Sequence, residues 1–126
     1  MQEIIIYGYI VHLFSMIKEI ISKNLEEYID TLFVYERSNC IELSMIKIKK
    51  DCRNQGFARE IMNNLCHYAD NKGLPILLSP EPPEDESEIS KSILIDFYES
   101  LGFEPNKGKI RDYSMPSHSY KRIPLY

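Results

Sequence analysis

An alternating strand pattern that runs through a glycine-containing loop into an amphipathic helix constrains this chain most. Cys40-Ile-Glu-Leu-Ser-Met-Ile-Lys-Ile48 is rich in β-branched and large apolar residues, the composition of a half-buried strand. Lys49 to Ala58 is polar and carries Gly56, and from Arg59 to Lys72 apolar residues recur at Ile61, Met62, Leu65, Cys66 and Ala69, one face of a helix. Asn71-Lys72-Gly73 is a helix stop, and Pro75-Ile-Leu-Leu-Ser79 is a short apolar strand. The segment therefore reads as strand, loop, helix and strand. Its first loop points unpaired backbone N–H groups of the helix N-terminus at whatever lies above the sheet, and an anion such as phosphate suits them. Ile41 and Leu43 alternate cleanly, but Met45 and Ile46 are apolar in succession. This break predicts a bulge near Ser44–Ile46 that turns a backbone N–H out of the ladder.

The remaining segments supply the frame. Ile4 to Val11 is β-branched and aromatic and reads as a strand; His12 to Tyr28 carries Leu13, Met16, Ile17, Ile20 and Ile21 at helical spacing, with Asn24 and Leu25 placed to interrupt it. Thr31–Arg37 and the Cys40–Ile48 strand flank Ser38-Asn39, which predicts a hairpin. Pro80 to Glu88 is a proline-rich loop with five carboxylates. Ser90 to Leu101 reads as a helix with Ser90 as its N-cap and Gly102 just past its end. Lys109–Met115 and Tyr120–Tyr126 read as two strands. The sum is an α/β (α+β mixed) fold with a central mixed sheet flanked by helices.

At 126 residues the chain is expected to form one domain, 1–126. A net charge of −4 argues against nucleic-acid binding through a general basic surface. No apolar run reaches the roughly 20 residues of a membrane span, and Glu3 stands where a signal peptide would carry a basic residue. Cys40, Cys52 and Cys66 have neither disulfide-framework nor zinc-site spacing, so no metal is expected and a reducing cytoplasm is the expected compartment. Cys66 and His67 are helix neighbours whose side chains diverge, which does not make a nucleophile–base pair.

Two short patterns carry a family resemblance. Arg53-x-x-Gly56-x-Ala58 resembles the Arg/Gln-x-x-Gly-x-Gly/Ala signature of the GNAT N-acetyltransferases. Roughly forty residues on, Phe97-Tyr98-Glu-Ser-Leu-Gly102-Phe103 resembles the Phe-Tyr-x-x-x-Gly-Phe segment of the same superfamily, at its usual separation. The likeness is best from Ile41 to Phe103. It implies a GNAT acyl-CoA N-acyltransferase fold and direct acetyl transfer from acetyl-CoA to a primary amine within a ternary complex. It further implies that backbone N–H groups of Asn54, Gln55, Gly56, Phe57, Ala58 and Arg59 hold the pyrophosphate, with charge from Arg53, Arg59, Lys49 and Lys50. Ile46, Lys47 and Ile48 take the pantetheine arm as an added strand, and an N–H freed near Met45 polarises the thioester carbonyl. Tyr98 stands where the family's general acid stands. Glu42, eleven residues before Arg53, stands at the offset of the strand glutamate that serves histone-type members as base. Lys91, flanked by Ser90 and Ser92, replaces the asparagine that often precedes the Phe-Tyr helix.

The acceptor is less defined. The carboxylates of Glu81–Glu88 would attract a cationic acceptor: a protein lysine, an N-terminal amine, a polyamine or an aminoglycoside-like amine. Ser44–Ile48, Gly73–Ile76 and Leu94–Tyr98 are similar to small phage acetyltransferases of the anti-CRISPR class, which implies a phage or mobile-element source, a host cytoplasm and a protein-lysine acceptor. The alternative is an inactive GNAT-fold module that holds CoA or a protein partner. Edge strands in a short chain are compatible with a homodimer.

Overall fold

A computed structural model describes residues 16–80, 90–108, 111 and 119–125. The predicted hairpin is formed by β1 (Ile29–Glu36) and β2 (Ile41–Ile48), antiparallel, its turn closed by the Arg37 N–H donating to the Cys40 carbonyl at 2.8 Å. Before it the chain is helical over 16–21 (α1). Asn24 adopts φ +66°, so the helix cannot continue, and a short 3-10 turn at Glu26–Tyr28 leads into β1. Asparagine is among the few non-glycine residues that take this left-handed conformation readily. The predicted strand Ile4–Val11 and the acidic stretch 81–88 lie outside the described residues.

After β2 come α2 (Phe57–Lys72), β3 (Ile76–Leu78) and α3 (Lys91–Glu99), then two short strands, β4 (Glu104–Pro105) and β5 (Tyr120–Arg122). The sheet order is β1-β2-β3-β5-β4; β2 and β3 are parallel and the other pairs antiparallel. β4 has only two residues, one of them proline, too short for a periodic signal. Most of the predicted strand Lys109–Met115 lies outside the described residues.

The five apolar positions read from α2 are all buried, in one core with Ile17, Ile21, Leu32, Val34, Leu43, Ile76, Leu78, Tyr98 and Phe103. α2 begins two residues earlier than its apolar period suggests. Phe57 enters its first turn and stacks on Tyr28, ring centroids 3.9 Å apart and planes 6° from parallel. Both long helices end on a left-handed glycine. The Leu74 N–H donates to the Ala69 carbonyl and the Phe103 N–H to the Tyr98 carbonyl, after Gly73 (φ +69°) and Gly102 (φ +97°).

Arg122 of β5 ties three elements together. Its guanidinium donates twice to the Asp70 carboxylate of α2, at 2.8 and 3.2 Å, and its Nε donates to the Leu101 carbonyl at 3.0 Å. Asp70 Oδ1 also accepts from the Leu125 N–H at 2.9 Å. On the other flank of α2, Tyr68 donates its hydroxyl to Glu36 of β1, and burial pushes the Tyr68 phenol well above its ordinary value.

Candidate functional site

The sheet opens where β2 outruns β3. Parallel pairing covers Ile41–Ile76, Glu42–Leu77 and Leu43–Leu78 and stops there, because β3 is three residues long and Ser79-Pro80 follows. β2 continues to Ile48, so over 44–48 it pairs with β1 on one side and, among the described residues, with no strand on the other.

The predicted bulge lies at the start of this open stretch. Phe33 faces Met45 and Val34 faces Leu43, so Ser44 is the extra residue. The bulge reverses the side-chain phase: Ile41 and Leu43 point to the core before it, Ile46 and Ile48 after it, while Ser44 and Met45 are both exposed. A second slip, between Ile29 and Thr31 on β1, lets the two strands regain register.

Ser44 to Ile48, the loop after β2, the start of α2 and one face of α3 enclose a cleft of about 830 Å³. Of the residues singled out from the sequence for catalysis or cofactor binding, Glu42, Ile46, Lys47, Ile48, Arg53, Asn54, Gly56, Phe57, Ala58, Arg59 and Tyr98 line it, while Lys49, Lys50 and Gln55 do not. The Gln55 side chain turns back to the Asp51 carbonyl at 3.5 Å. Sequence reasoning passed over Cys52, Leu78, Ser79, Ile93 and Leu94 as lining residues. Apart from the helical period of Ile93 and Leu94, no local signal marks them, since their place depends on how far the strands part.

At the floor of the cleft, Asn54 (φ +62°) and Gly56 (φ +87°) lead the chain into α2, whose first turn receives no side-chain cap. α3 differs: Ser90 Oγ accepts from the Ile93 N–H at 3.2 Å. The N–H groups at the start of α2 thus remain for an anion. A Cβ at Gly56 would meet nothing within 4 Å, so glycine is required there by its backbone angle, not by crowding within the protein. Gly56→Ala is expected to cost about 1 kcal/mol of stability through the positive φ, readable as a lowered urea midpoint with an unchanged slope.

Two arginines shape this floor. Arg53 Nε donates to the Ile48 carbonyl at 3.0 Å, fastening the loop to the end of β2. Arg59 lies over the Phe97 ring at 5.0 Å and donates to Ser100 Oγ at 3.2 Å, joining α2 to α3. Lys49 and Lys50 are exposed beside the loop.

Tyr98 is 7% exposed and meets Phe97 and Phe103 edge-on, at centroid distances of 5.2 and 5.7 Å. Burial pushes its phenol up to about 12, so it stays protonated through the neutral range. Glu42, on the outer side of β2, accepts from Arg37 Nη2 through Oε1 at 2.7 Å, and its other carboxylate oxygen is the one not held by Arg37. Cys40 and Cys66 are buried thiols away from the cleft lining, burial raising the Cys66 thiol, and His67 beside it faces solvent. Among the described residues no cluster of histidine, cysteine or carboxylate side chains could hold a metal ion, and no helix is long and apolar enough to cross a membrane.

A cleft with an uncapped helix N-terminus at one end, an open strand edge along one wall and a buried phenol at the other wall suits a long, phosphorylated acyl carrier. The sequence model of the Acetyltransferase (GNAT) family matches residues 20–103. No curated protein matches the sequence significantly. Among solved structures, the crystal structure of the anti-CRISPR protein AcrVA5 is similar at 22% identity and a TM-score of 0.56, over 71% of this chain and 85% of that one. A GNAT-family protein from Bacteroides thetaiotaomicron is similar at 19% identity and a TM-score of 0.50, over 75% of this chain and 55% of that one. At these identities the two structures speak to the fold alone.

Proposed function

Since this chain belongs to the GNAT family of N-acetyltransferases, we propose that it moves an acetyl group from acetyl-CoA directly to a primary amine, a protein lysine foremost, with both substrates bound together. The observation that carries this is the union in one cleft of the open edge of β2, the uncapped start of α2 and the buried Tyr98. Acetyl-CoA supplies a thioester-activated acyl group, and the residues present fit its shape. Backbone N–H groups from Asn54 to Arg59 would hold the pyrophosphate, supported by the positive charges of Arg53, Arg59, Lys49 and Lys50. Ile46 to Ile48 would pair with the amides of the pantetheine arm along the open edge. The bulge at Ser44–Met45 would present an N–H toward the acyl carbonyl.

Acetylating an amine requires a proton to leave nitrogen and a proton to reach sulfur. Tyr98, kept neutral by burial, has the proton for sulfur. Glu42 would accept the nitrogen proton, directly or through water, on the oxygen that Arg37 does not hold. Resemblance of Ser44–Ile48, Gly73–Ile76 and Leu94–Tyr98 to small phage acetyltransferases supports a protein lysine as acceptor, in a host cytoplasm.

Calorimetric titration with acetyl-CoA tests the cofactor site. Binding is expected for the intact protein, and an Arg53→Glu/Gly56→Glu double variant is expected to lose it, since two carboxylates would then face the pyrophosphate. Equal binding by both proteins would remove the loop from the site. Thiol release from acetyl-CoA with added amines separates an enzyme from a module that only holds the cofactor.

A further inference from the structure

We infer that Ser44 and Ser79 form a hydroxyl pair at the crotch of the split sheet that binds the nitrogen of the acceptor's primary amine. This assignment rests on the acetyltransferase reading above. Its geometry comes from the register. Leu43 and Leu78 are the last paired residues of the two parallel strands, and Ser44 and Ser79 are the next residue of each. Parallel partners point to the same face. Leu43 and Leu78 are both buried in the core, so Ser44 and Ser79 share the opposite face with Glu42, which precedes Ser44 by two residues. All three line the cleft together with Tyr98. Adjacent strands lie about 4.8 Å apart, so two hydroxyls just past the last pair, where the strands begin to diverge, leave a gap fitted to one small polar group. Ser44 is exposed and Ser79 half-buried, and among the described residues neither hydroxyl is engaged in a hydrogen bond.

The chemistry requires such a device. An attacking amine must present its lone pair to the acyl carbon, and two fixed acceptors for its N–H bonds set that orientation. A hydroxyl accepts these bonds without the charge that would hold the nitrogen as ammonium. The amine nitrogen then forms the C–N bond while the C–S bond breaks. One nitrogen proton passes to Glu42, through Ser44 or a water, and sulfur takes the Tyr98 proton. The products are an N-acetyl amide and the free thiol, and a proton returned from Glu42 through solvent restores Tyr98.

The test uses the full chain, acetyl-CoA, and two probe acceptors, poly-L-lysine and spermidine. A Ser44→Ala/Ser79→Ala variant is expected to raise the KM for both amines about tenfold or more, since two hydrogen bonds are lost. Its acetyl-CoA affinity by calorimetry and its Tm are expected to match the parent protein. Ser79→Thr, which keeps the hydroxyl, is expected to retain most of the amine affinity. Unchanged amine KM and kcat in the double variant would overturn the assignment, as would a loss that tracks a fall in acetyl-CoA affinity. If the intact protein acetylates neither probe nor any lysate protein, the acetyltransferase reading falls and the hydroxyl assignment with it. Activity in the parent with an indifferent double variant overturns the hydroxyl assignment alone.

Discussion

Tyr98→Phe is expected to lower kcat by on the order of 10²–10⁴-fold while leaving acetyl-CoA affinity and Tm close to those of the parent. The substitution deletes one oxygen. The ring keeps its edge-on contacts with Phe97 and Phe103, so packing has little reason to change. What disappears is the one buried phenol that lines the cleft among the described residues, protonated because desolvation disfavours the phenolate. With its phenol pushed up to about 12, Tyr98 supplies no alkaline limb to the rate below roughly pH 10. Any fall in rate on the alkaline side of neutrality therefore belongs to another group. Stopped-time assays of thiol release across pH, with calorimetry on the same samples, check both statements. A variant with the parent rate at every pH would remove Tyr98 from the chemistry.

The second large effect concerns stability. Asp70→Asn is expected to destabilise the fold by about 3 kcal/mol, because removing one charge of a paired, poorly hydrated couple leaves the other uncompensated. Arg122 has only 7% of its side chain exposed and Asp70 22%, and the pair joins β5, α2 and Leu101, two residues past α3. A shift of this size in a domain of this length lowers Tm by on the order of 10 °C. The hydrogen bonds from Arg122 hold the Asp70 carboxyl below its ordinary value, and the Leu125 N–H adds to this. The unfolded chain therefore takes up a proton at Asp70 first as pH falls. The stabilisation is complete above the unfolded carboxylate value near 4 and is lost as pH drops through the lower folded value. Urea titrations of both proteins at pH 7 and near pH 3 are expected to show the gap narrowing at the acid end. A constant gap would mean that the ion pair is not the source.

Much of this was legible in the sequence because it is local. The hairpin at Ser38–Asn39, the apolar face of α2, Ser90 as a cap and the glycines at positions 73 and 102 each follow from neighbours a few residues apart. The bulge was legible too, since one extra residue must break a period of two, and Met45-Ile46 breaks it. The loop before α2 announced itself by Gly56, whose positive φ few other residues would accept. β4 was not legible: two residues, one of them proline, carry no period, and they form a strand only because Tyr120 and Lys121 lie beside them. The Asp70–Arg122 lock was equally hidden, as its partners are 52 residues apart.

The candidate site divides along the same line. Sequence by itself determined which residues have the chemistry of a phosphate loop, a protonated phenol and a carboxylate, because those properties reside in side-chain type and short spacing. It also placed the chain in a family through two such patterns. Only the tertiary structure decided that β3 stops at Leu78 while β2 runs on to Ile48, and that difference in length opens the cleft. Tertiary structure likewise turned Gln55 away, held one oxygen of Glu42 with Arg37, and ended the pairing of β2 with β3 one residue before Ser44 and Ser79. Those outcomes depend on where distant backbones lie relative to each other, a quantity fixed by packing of the whole core rather than by any window of residues.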